Sequence, residues 1–228
     1  MRFLCPRCHN DLDEKTENEF FCSKDNLTFK QEDGIWRFLL PEREFHYARF
    51  IEDYETVRRF EGRGSPKASY YRSLPFMDLS GKFSEDWKIR AASYRVLENL
   101  ILQNNKSGCI VDLGAGNGWL SNRLASLGYK VNAVDLLVNP EDGLGARRHY
   151  ENQFTCVQSE FAHMPFPDSS ISVVIYNASF HYSESYEDTL HEAFRVLEAL
   201  GQVIIMDSPV YSDRKSGEKM LDERRAGF

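Results

Sequence analysis

Residues 111–119 read VDLGAGNGW, and this stretch decides which fold the chain is expected to adopt. The apolar run before it has strand composition and an amphipathic helical pattern follows it, so the glycines sit at a strand-to-helix turn. Turns of this kind bind nucleotides in α/β proteins. Gly114, Gly116 and Gly118 are spaced G-x-G-x-G, whereas a dinucleotide fingerprint requires G-x-G-x-x-G. The turn therefore predicts an adenosine ligand without identifying it.

From residue 109 onward, strand-like and helix-like periods alternate along the chain. We expect strands at 109–113, 130–135, 154–158, 171–176 and 202–207, and helices from the glycine turn to Leu127 and at 185–199. This alternation is typical of a doubly wound, mainly parallel α/β sheet with right-handed crossovers. Ligands of such sheets bind beyond the carboxyl ends of the strands, and the glycine turn is the first loop at that edge.

The rest of the chain suggests three parts. We predict a small module at 1–40, a helical linker or lid at 41–83, and a ligand-binding domain at 84–228. Apolar residues at helical spacing within 42–60 predict a helix in the middle part, and a capping serine with an acidic first turn at Ser84 predicts the helix that opens the third part. Because only 21 residues follow Asp207, we expect the sheet to be shortened at its C-terminal end.

Composition and charge exclude several classes of protein. The chain has 228 residues, of which 42% are hydrophobic and 28% charged, as in ordinary globular proteins. No apolar stretch has the length of a membrane span or signal peptide, so a cytoplasmic protein without membrane contact is predicted. Residues 108–207 contain 5 Lys or Arg against 13 Asp or Glu, and residues 41–107 contain 12 against 10. The mixed charges of the second range favour a solvated helical surface over a nucleic-acid interface.

Asp135 is the next acidic residue at the end of a predicted strand. It closes the run KVNAVD, 23 residues after Asp112. A carboxylate in this position can accept both hydroxyls of a ribose, and each charged hydrogen bond contributes about 1.5–3 kcal/mol. NAD and S-adenosylmethionine both carry an adenosine ribose, so these residues leave the two cofactors open.

Four segments resemble, in order, the motifs of class I S-adenosylmethionine-dependent methyltransferases. They are VDLGAGNGW, VDL at 134–136, SEFAHMPFPDSSISVVIYNASFHY at 159–182 and EAFRVLEALGQVIIMD at 192–207. The similarity is to the branch with the ubiquinone and menaquinone biosynthesis methyltransferases (methyltransferase type 11). It implies a Rossmann-like methyltransferase sheet with S-adenosylmethionine as cofactor. The cofactor-binding residues that it implies are Asp112, Gly114, Ala115, Gly116, Gly118, Asp135, Glu160, Phe161 and Asn177.

The resemblance also implies individual roles at the two ends of the cofactor. Glu160 is expected beside the adenine amine, Phe161 against the adenine ring, and Asn177 near the reacting end. His181 follows the fourth predicted strand and is a candidate general base, with a wall of the pocket as its alternative role. For the methyl acceptor we favour a small molecule because the core is acidic. RNA base methylation and a cofactor-binding interaction scaffold without turnover remain the alternatives.

The N-terminal module contains a candidate metal site. Cys5, Cys8, Cys22 and Asp25 are spaced C-x2-C-x13-C-x2-D, and two such knuckles are how a zinc ribbon assembles a tetrahedron. The segment resembles the zinc-ribbon-like proteins that accompany tRNA methyltransferases and the N-terminal domain of ribosomal RNA guanine methyltransferases. In those families the fourth ligand is Cys or His. Structural zinc held by three cysteines and Asp25, and a ribbon without metal, therefore both remain open.

Overall fold

The computed structural model describes residues 2–104 and 108–227. The strands within these ranges are β1 (Asp13–Thr16), β2 (Glu19–Cys22), β3 (Leu27–Glu32), β4 (Ile35–Arg37), β5 (Cys109–Leu113), β6 (Lys130–Asp135), β7 (Thr155–Gln158), β8 (Ile171–Asn177) and β9 (Leu197–Met206). The α-helices are α1 (Pro41–Glu61), α2 (Ala68–Ser73), α3 (Ser84–Asn104), α4 (Trp119–Ser126), α5 (Tyr186–Val196) and α6 (Arg214–Gly227). Two 3₁₀ helices cover Leu144–His149 and Phe180–Tyr182.

All the described strands lie in one sheet, in the order β1-β2-β3-β4-β7-β6-β5-β8-β9. Every pairing from β4 to β9 is parallel. The central strand β8 is buried at all its positions, as expected for a parallel strand covered by helices on both faces. The predicted doubly wound, Rossmann-like sheet is confirmed. Its strand order reverses at β5, because β6 and β8 pair with opposite edges of that strand.

The N-terminal residues extend this sheet. Strands β1 to β4 form an antiparallel meander, and β4 then pairs in parallel with β7, with Ile35 opposite Cys156. Phe38 N donates a hydrogen bond to Gln158 O at 2.9 Å. The buried side chains of Trp36 and Phe38 pack in the same hydrophobic cluster as Val157. The sequence did not predict this pairing, and the domain boundaries near residues 40 and 83 stay a prediction.

The helices agree with the sequence except at α5. The helix predicted at 42–60 is α1, which ends at Gly62 with φ +74°, and α3 begins at Ser84. The prediction of a helix over 185–199 and a strand from 202 was wrong, because α5 ends at Val196 and β9 already begins at Leu197. Ser170 N donates to Val196 O at 2.8 Å, and Leu197 pairs with Ile171. Pairing with β8 thus favours an extended backbone where local propensity favours a helix.

The ligand-binding edge of the sheet is covered by α1, which follows the meander. None of the side chains of α1 is fully buried, so the helix lies over the sheet edge rather than in a core. Among the described helices, none is both long and apolar enough to cross a bilayer.

Candidate functional site

A cavity of about 940 Å³ opens at the carboxyl ends of β5, β6 and β8. This volume lies near the upper end of the range of about 300–1,000 Å³ found for ligand pockets. One wall consists of the glycine turn and the loops after β6, β7 and β8. The other wall is a face of α1 with the N-terminal part of α3. Six α1 residues lie in that wall. His46 adjoins Tyr47, and the other five recur every three or four positions, as one helix face requires: Arg43, Tyr47, Phe50, Tyr54 and Arg58.

The glycine turn needs glycine for two reasons. Gly114, Gly116 and Gly118 have φ of +72°, +53° and +76°, which side-chain-bearing residues rarely adopt. At Gly114 an added Cβ would also overlap the Cβ of Ser179, whose hydroxyl donates to Leu113 O at 2.5 Å. Gly114 and Gly116 line the cavity with their neighbour Ala115, whereas Gly118 lies outside its walls, against the Phe154 ring.

Asp135 lies at the end of β6 and faces this turn. Its Oδ2 accepts a hydrogen bond from Gly116 N at 2.7 Å and its Oδ1 accepts one from Leu137 N at 2.8 Å. Burial raises the pKa of Asp135 to about 6, and the amides of Leu137 and Gly116 partly oppose this rise. A carboxylate has about four acceptor positions, so each oxygen keeps capacity for a ligand hydroxyl.

Two residues of the cavity wall, Asp112 and Asn177, each have a side-chain oxygen without a hydrogen-bond partner in the described part of the chain. Asp112 Oδ2 accepts a hydrogen bond from Ser121 Oγ at 2.7 Å, and burial raises the pKa of Asp112 to about 7. Asp112 Oδ1 and Asn177 Oδ1 are buried and have no hydrogen-bond partner among residues 2–104 and 108–227. Buried polar atoms are rarely left unpaired in folded proteins, so both oxygens indicate a site for a donor group of a ligand.

Glu160, by contrast, is saturated by protein donors. Arg43 donates to it through Nε and Nη2, the latter at 2.7 Å, and Tyr47 and His163 approach it at 3.1 and 2.9 Å. Although burial opposes ionisation, the hydrogen bonds from His163 and Arg43 lower the pKa of Glu160 to about 2. Glu160 lies in the cavity wall, at the edge of the sheet where the sequence places it. Nothing in the sequence indicated that Arg43 of α1 would bind its carboxylate.

The loop after β8 and Phe161 form the middle of the cavity. The Phe161 and Tyr176 rings pack at right angles, with centroids 5.5 Å apart, and the Cζ atom of Phe161 lies near Gly114. His181 lies on the 3₁₀ helix after β8 and lines the cavity, with its ring 4.3 Å from that of Tyr182. Both residues lie at the sheet edge where the sequence expects them.

Sequence reasoning missed Arg90 on α3. Its guanidinium lines the cavity beside the Trp87 ring, 5.2 Å from the ring centroid. Within the described part of the chain it makes no hydrogen bond or ion pair, whereas Arg58 pairs with Asp142. Burial, together with nearby Arg58, lowers the pKa of Arg90. The only signal in the sequence was its position three residues after Trp87 on a predicted helix.

The four predicted metal ligands come together in the N-terminal meander, beside the turn between β2 and β3. The donor atoms of Cys5, Cys8, Cys22 and Asp25 all lie within 4.8 Å of one another. Cys5 Sγ is 3.2 Å from Asp25 Oδ2, and the sulfurs of Cys8 and Cys22 are 3.6 Å apart. Ligands about 2.3 Å from a tetrahedral zinc would be about 3.8 Å apart, so the cluster has the size of a zinc site.

Comparison with known proteins supports a methyltransferase. Residues 111–205, from the end of β5 into β9, match the family described as a methyltransferase domain. Over 117 residues the chain is 29% identical to the malonyl-[acyl-carrier protein] O-methyltransferase of Halorhodospira halophila. That alignment covers 50% of this chain and 40% of the relative, so the chain spans about two fifths of the length of the curated relative that it matches.

Solved structures with a similar fold include methyltransferases. An S-adenosylmethionine-dependent methyltransferase of Aquifex aeolicus is 20% identical with a TM-score of 0.42, covering 55% of this chain and 77% of that one. A phosphoethanolamine N-methyltransferase of Haemonchus contortus, solved with S-adenosylmethionine, is 22% identical with a TM-score of 0.46. Its alignment covers 58% of this chain and 32% of that one.

Proposed function

We propose that the protein transfers a methyl group from S-adenosylmethionine to a small-molecule acceptor. The observation that carries this proposal is the set of unfilled polar positions along one cavity. Asp135 keeps acceptor capacity on both oxygens, and Asp112 Oδ1 has no donor among the described residues. The Arg90 guanidinium forms no ion pair there, and Asp207 and Asp86 act on it only as nearby charges. In that order, Asp135, Asp112 and Arg90 match the ribose hydroxyls, the ammonium group and the carboxylate of S-adenosylmethionine.

The adenosine half of the cofactor would lie against the glycine turn. Asp135 would accept the ribose hydroxyls, as charge-assisted hydrogen bonds that discriminate strongly against ligands lacking them. Phe161 would provide an apolar surface for the adenine ring. NAD fits the turn less well, because its glycine spacing departs from the dinucleotide fingerprint.

The amino-acid half would lie between β5 and α3. A ligand ammonium group beside Asp112 Oδ1 would favour the ionised carboxylate, because a nearby positive charge lowers a carboxyl pKa. Arg90 can bind a carboxylate with two parallel hydrogen bonds, and the Trp87 ring orients its guanidinium plane. Asn177 Oδ1 supports the reacting end, where it remains free to accept a donor.

The sulfonium of the bound cofactor supplies an electrophilic methyl group, so the chain's main task is to align the acceptor and exclude water. Positioning of reacting groups can contribute about 7–11 kcal/mol in favourable cases. The aromatic residues Phe50 and Tyr54 of α1 and Tyr182 of the β8 loop enclose the middle of the cavity, with ring centroids 5.7–6.2 Å apart. His181 is the candidate base for an acceptor that must lose a proton.

The charge of the cavity favours a small acceptor over RNA. Its walls carry four guanidinium groups, those of Arg43, Arg58, Arg63 and Arg90. They also carry seven carboxylates, those of Asp112, Asp135, Asp142, Glu160, Glu184, Asp188 and Asp207. A surface with this excess of acidic groups repels a polyphosphate backbone. The curated relative, named for methylation of malonyl-acyl carrier protein, adds support for a non-nucleic acceptor.

Calorimetric titration tests the cofactor assignment. We expect S-adenosylmethionine and S-adenosylhomocysteine to bind the wild type and NAD not to bind. Asp135→Ala should weaken binding at least a hundredfold, whereas Asp53→Ala, on the exposed side of α1, should leave it unchanged. Binding of NAD without binding of the sulfur ligands would refute the proposal. Tight RNA binding with a steep salt dependence would favour RNA as acceptor, and cofactor binding without turnover on any metabolite pool would favour a scaffold.

We further propose that Cys5, Cys8, Cys22 and Asp25 hold a structural zinc ion. The size of the cluster and its three sulfur donors support this assignment. Metal analysis of protein never exposed to chelator should give one zinc per chain. Cys8→Ser should lose the metal, and Cys109→Ser, a cysteine outside the cluster, should retain it. A clearly substoichiometric zinc content in the wild type would refute the metal site.

A further inference from the structure

Arg43 is the side chain of α1 that holds Glu160 most closely. Its Nε lies 2.9 and 3.0 Å from the two oxygens of Glu160, and its Nη2 lies 2.7 Å from Oε2. The same Nη2 also donates to Glu184 Oε2 at 2.6 Å. One guanidinium therefore joins the loop after β7 to the loop after β8 through the N-terminal turn of α1.

The acceptor capacity of Glu160 is fully used by these contacts. Oε1 receives Arg43 Nε and His163 Nδ1, and Oε2 receives Arg43 Nη2 and the Tyr47 hydroxyl. A carboxylate offers about four acceptor positions, so none remains for another donor. Glu160 is also only 4% exposed, so a further hydrogen-bond donor must replace one of these groups.

Resting on the function proposed above, we infer that Arg43 and the adenine amine of the cofactor compete for the Glu160 carboxylate. Arg43 is then a residue that sets cofactor affinity, and cofactor binding separates its guanidinium from the Glu160 carboxylate. When the amine takes its place on Glu160, the guanidinium keeps Glu184 as a partner at the exposed rim.

The construction of α1 permits such a release. The helix has no fully buried side chain, and its ends are Pro41, after extended Leu40, and Gly62 in the left-handed region. The contact of Arg43 with Glu160 is polar, and His46 still joins the N-terminal half of the helix to Glu184. Moving the guanidinium off Glu160 therefore exposes little apolar surface, which keeps the cost of the movement small.

Binding of paired nucleoside ligands to Arg43→Gln tests this inference. S-adenosylhomocysteine has an amine on its purine ring, whereas S-inosylhomocysteine has a carbonyl oxygen there, so this position can no longer donate to Glu160. We expect Arg43→Gln to bind S-adenosylhomocysteine about tenfold more tightly than the wild type. The preference for the adenosyl over the inosyl ligand should rise by a similar factor. Arg49→Gln, on the exposed face of the same helix, should change neither value.

A second variant and a second measurement test the same competition in case Arg43→Gln does not fold. Glu184→Gln removes the carboxylate that Arg43 would keep after it leaves Glu160, so it should weaken S-adenosylhomocysteine binding by about threefold. Hydrogen exchange of the α1 amides should become faster when S-adenosylhomocysteine binds the wild type. Equal or weaker binding by Arg43→Gln, or an unchanged ligand preference, would overturn the competition. If neither wild type nor variant bound any sulfur ligand, the proposed function itself would fail, and this inference with it.

Discussion

Two carboxylates of the cavity, those of Asp135 and Glu160, are held in opposite ways. Asp135 is held by Gly116 and Leu137, 19 and two residues away in the chain, through backbone amides alone. Glu160 is held by Arg43 and Tyr47, 117 and 113 residues away, through side chains. Asp135 keeps free acceptor positions and a raised pKa, whereas Glu160 is saturated and has a lowered pKa. A carboxylate held by backbone amides keeps acceptor positions for a ligand, whereas a carboxylate held by charged side chains has these positions filled.

The largest effect is expected on the glycine-turn wall. Gly114→Ala places a methyl group in a left-handed backbone and against Ser179, so the free energy of unfolding should fall by about 3–4 kcal/mol. Gly81 has a similar φ of +70° but open space around it, so Gly81→Ala should lose only about 1–2 kcal/mol. Urea unfolding measures both. Equal losses would mean that the turn tolerates the methyl group and is less tightly built than its contacts suggest.

The stabilisation that comes from the contact between α1 and Glu160 should depend on pH. The folded state depresses the pKa of Glu160 from 4.5 to about 2, so its contribution to stability is complete above about pH 4.5 and is lost as the pH falls towards 2. Glu160→Gln removes this contribution, and the wild type should exceed it by about 2–3 kcal/mol at pH 7. Unfolding by urea should show the same difference at pH 7 and pH 5 and a smaller one at pH 3. A constant difference across that range would contradict it, and Glu187→Gln, at an exposed site, is the control.

Ligand affinity should report the titration of Asp135. With a folded pKa of about 6, this carboxyl becomes protonated below pH 6 and loses the charge that strengthens its hydrogen bonds to ribose hydroxyls. S-adenosylhomocysteine binding should therefore weaken by up to about tenfold for each pH unit below 6. Calorimetry between pH 5 and 8 measures it. Asp135→Asn should bind weakly with no inflection near pH 6, and an inflection retained in that variant would assign the titration to another group.

The smallest expected effect is at Tyr47. Its hydroxyl accepts from Arg43 at 2.9 Å and donates to Glu160 at 3.1 Å. Tyr47→Phe should lower the free energy of unfolding by about 1 kcal/mol, the usual value of one hydrogen bond. Tyr186→Phe, at an exposed site, should change it by less, and thermal or urea unfolding distinguishes them. A loss no larger than that of the control would mean that Arg43 and His163 hold Glu160 without help from the Tyr47 hydroxyl.

Much of the ligand-binding edge could be predicted from the sequence. The positions of Asp112, Gly114 and Asp135 follow from a glycine spacing and from where apolar runs end, because the carboxyl ends of parallel strands meet at one edge. The cysteine spacing likewise predicted the four-ligand cluster, because two short knuckles bring their own donors together. The length of α5 was predicted wrongly, because pairing of Leu197 with β8 overrides local helix propensity.

The sequence by itself thus determined the parallel sheet, the glycine turn and the carboxylate that faces it, since each depends on neighbours close along the chain. Only the tertiary structure decided that β4 joins β7, that Arg90 lines the cavity, and that Arg43 occupies Glu160. The reason is physical. A long charged side chain on a surface helix has the same local pattern whether it faces solvent or a buried carboxylate, and only the packing of α1 and α3 over the sheet edge distinguishes the two.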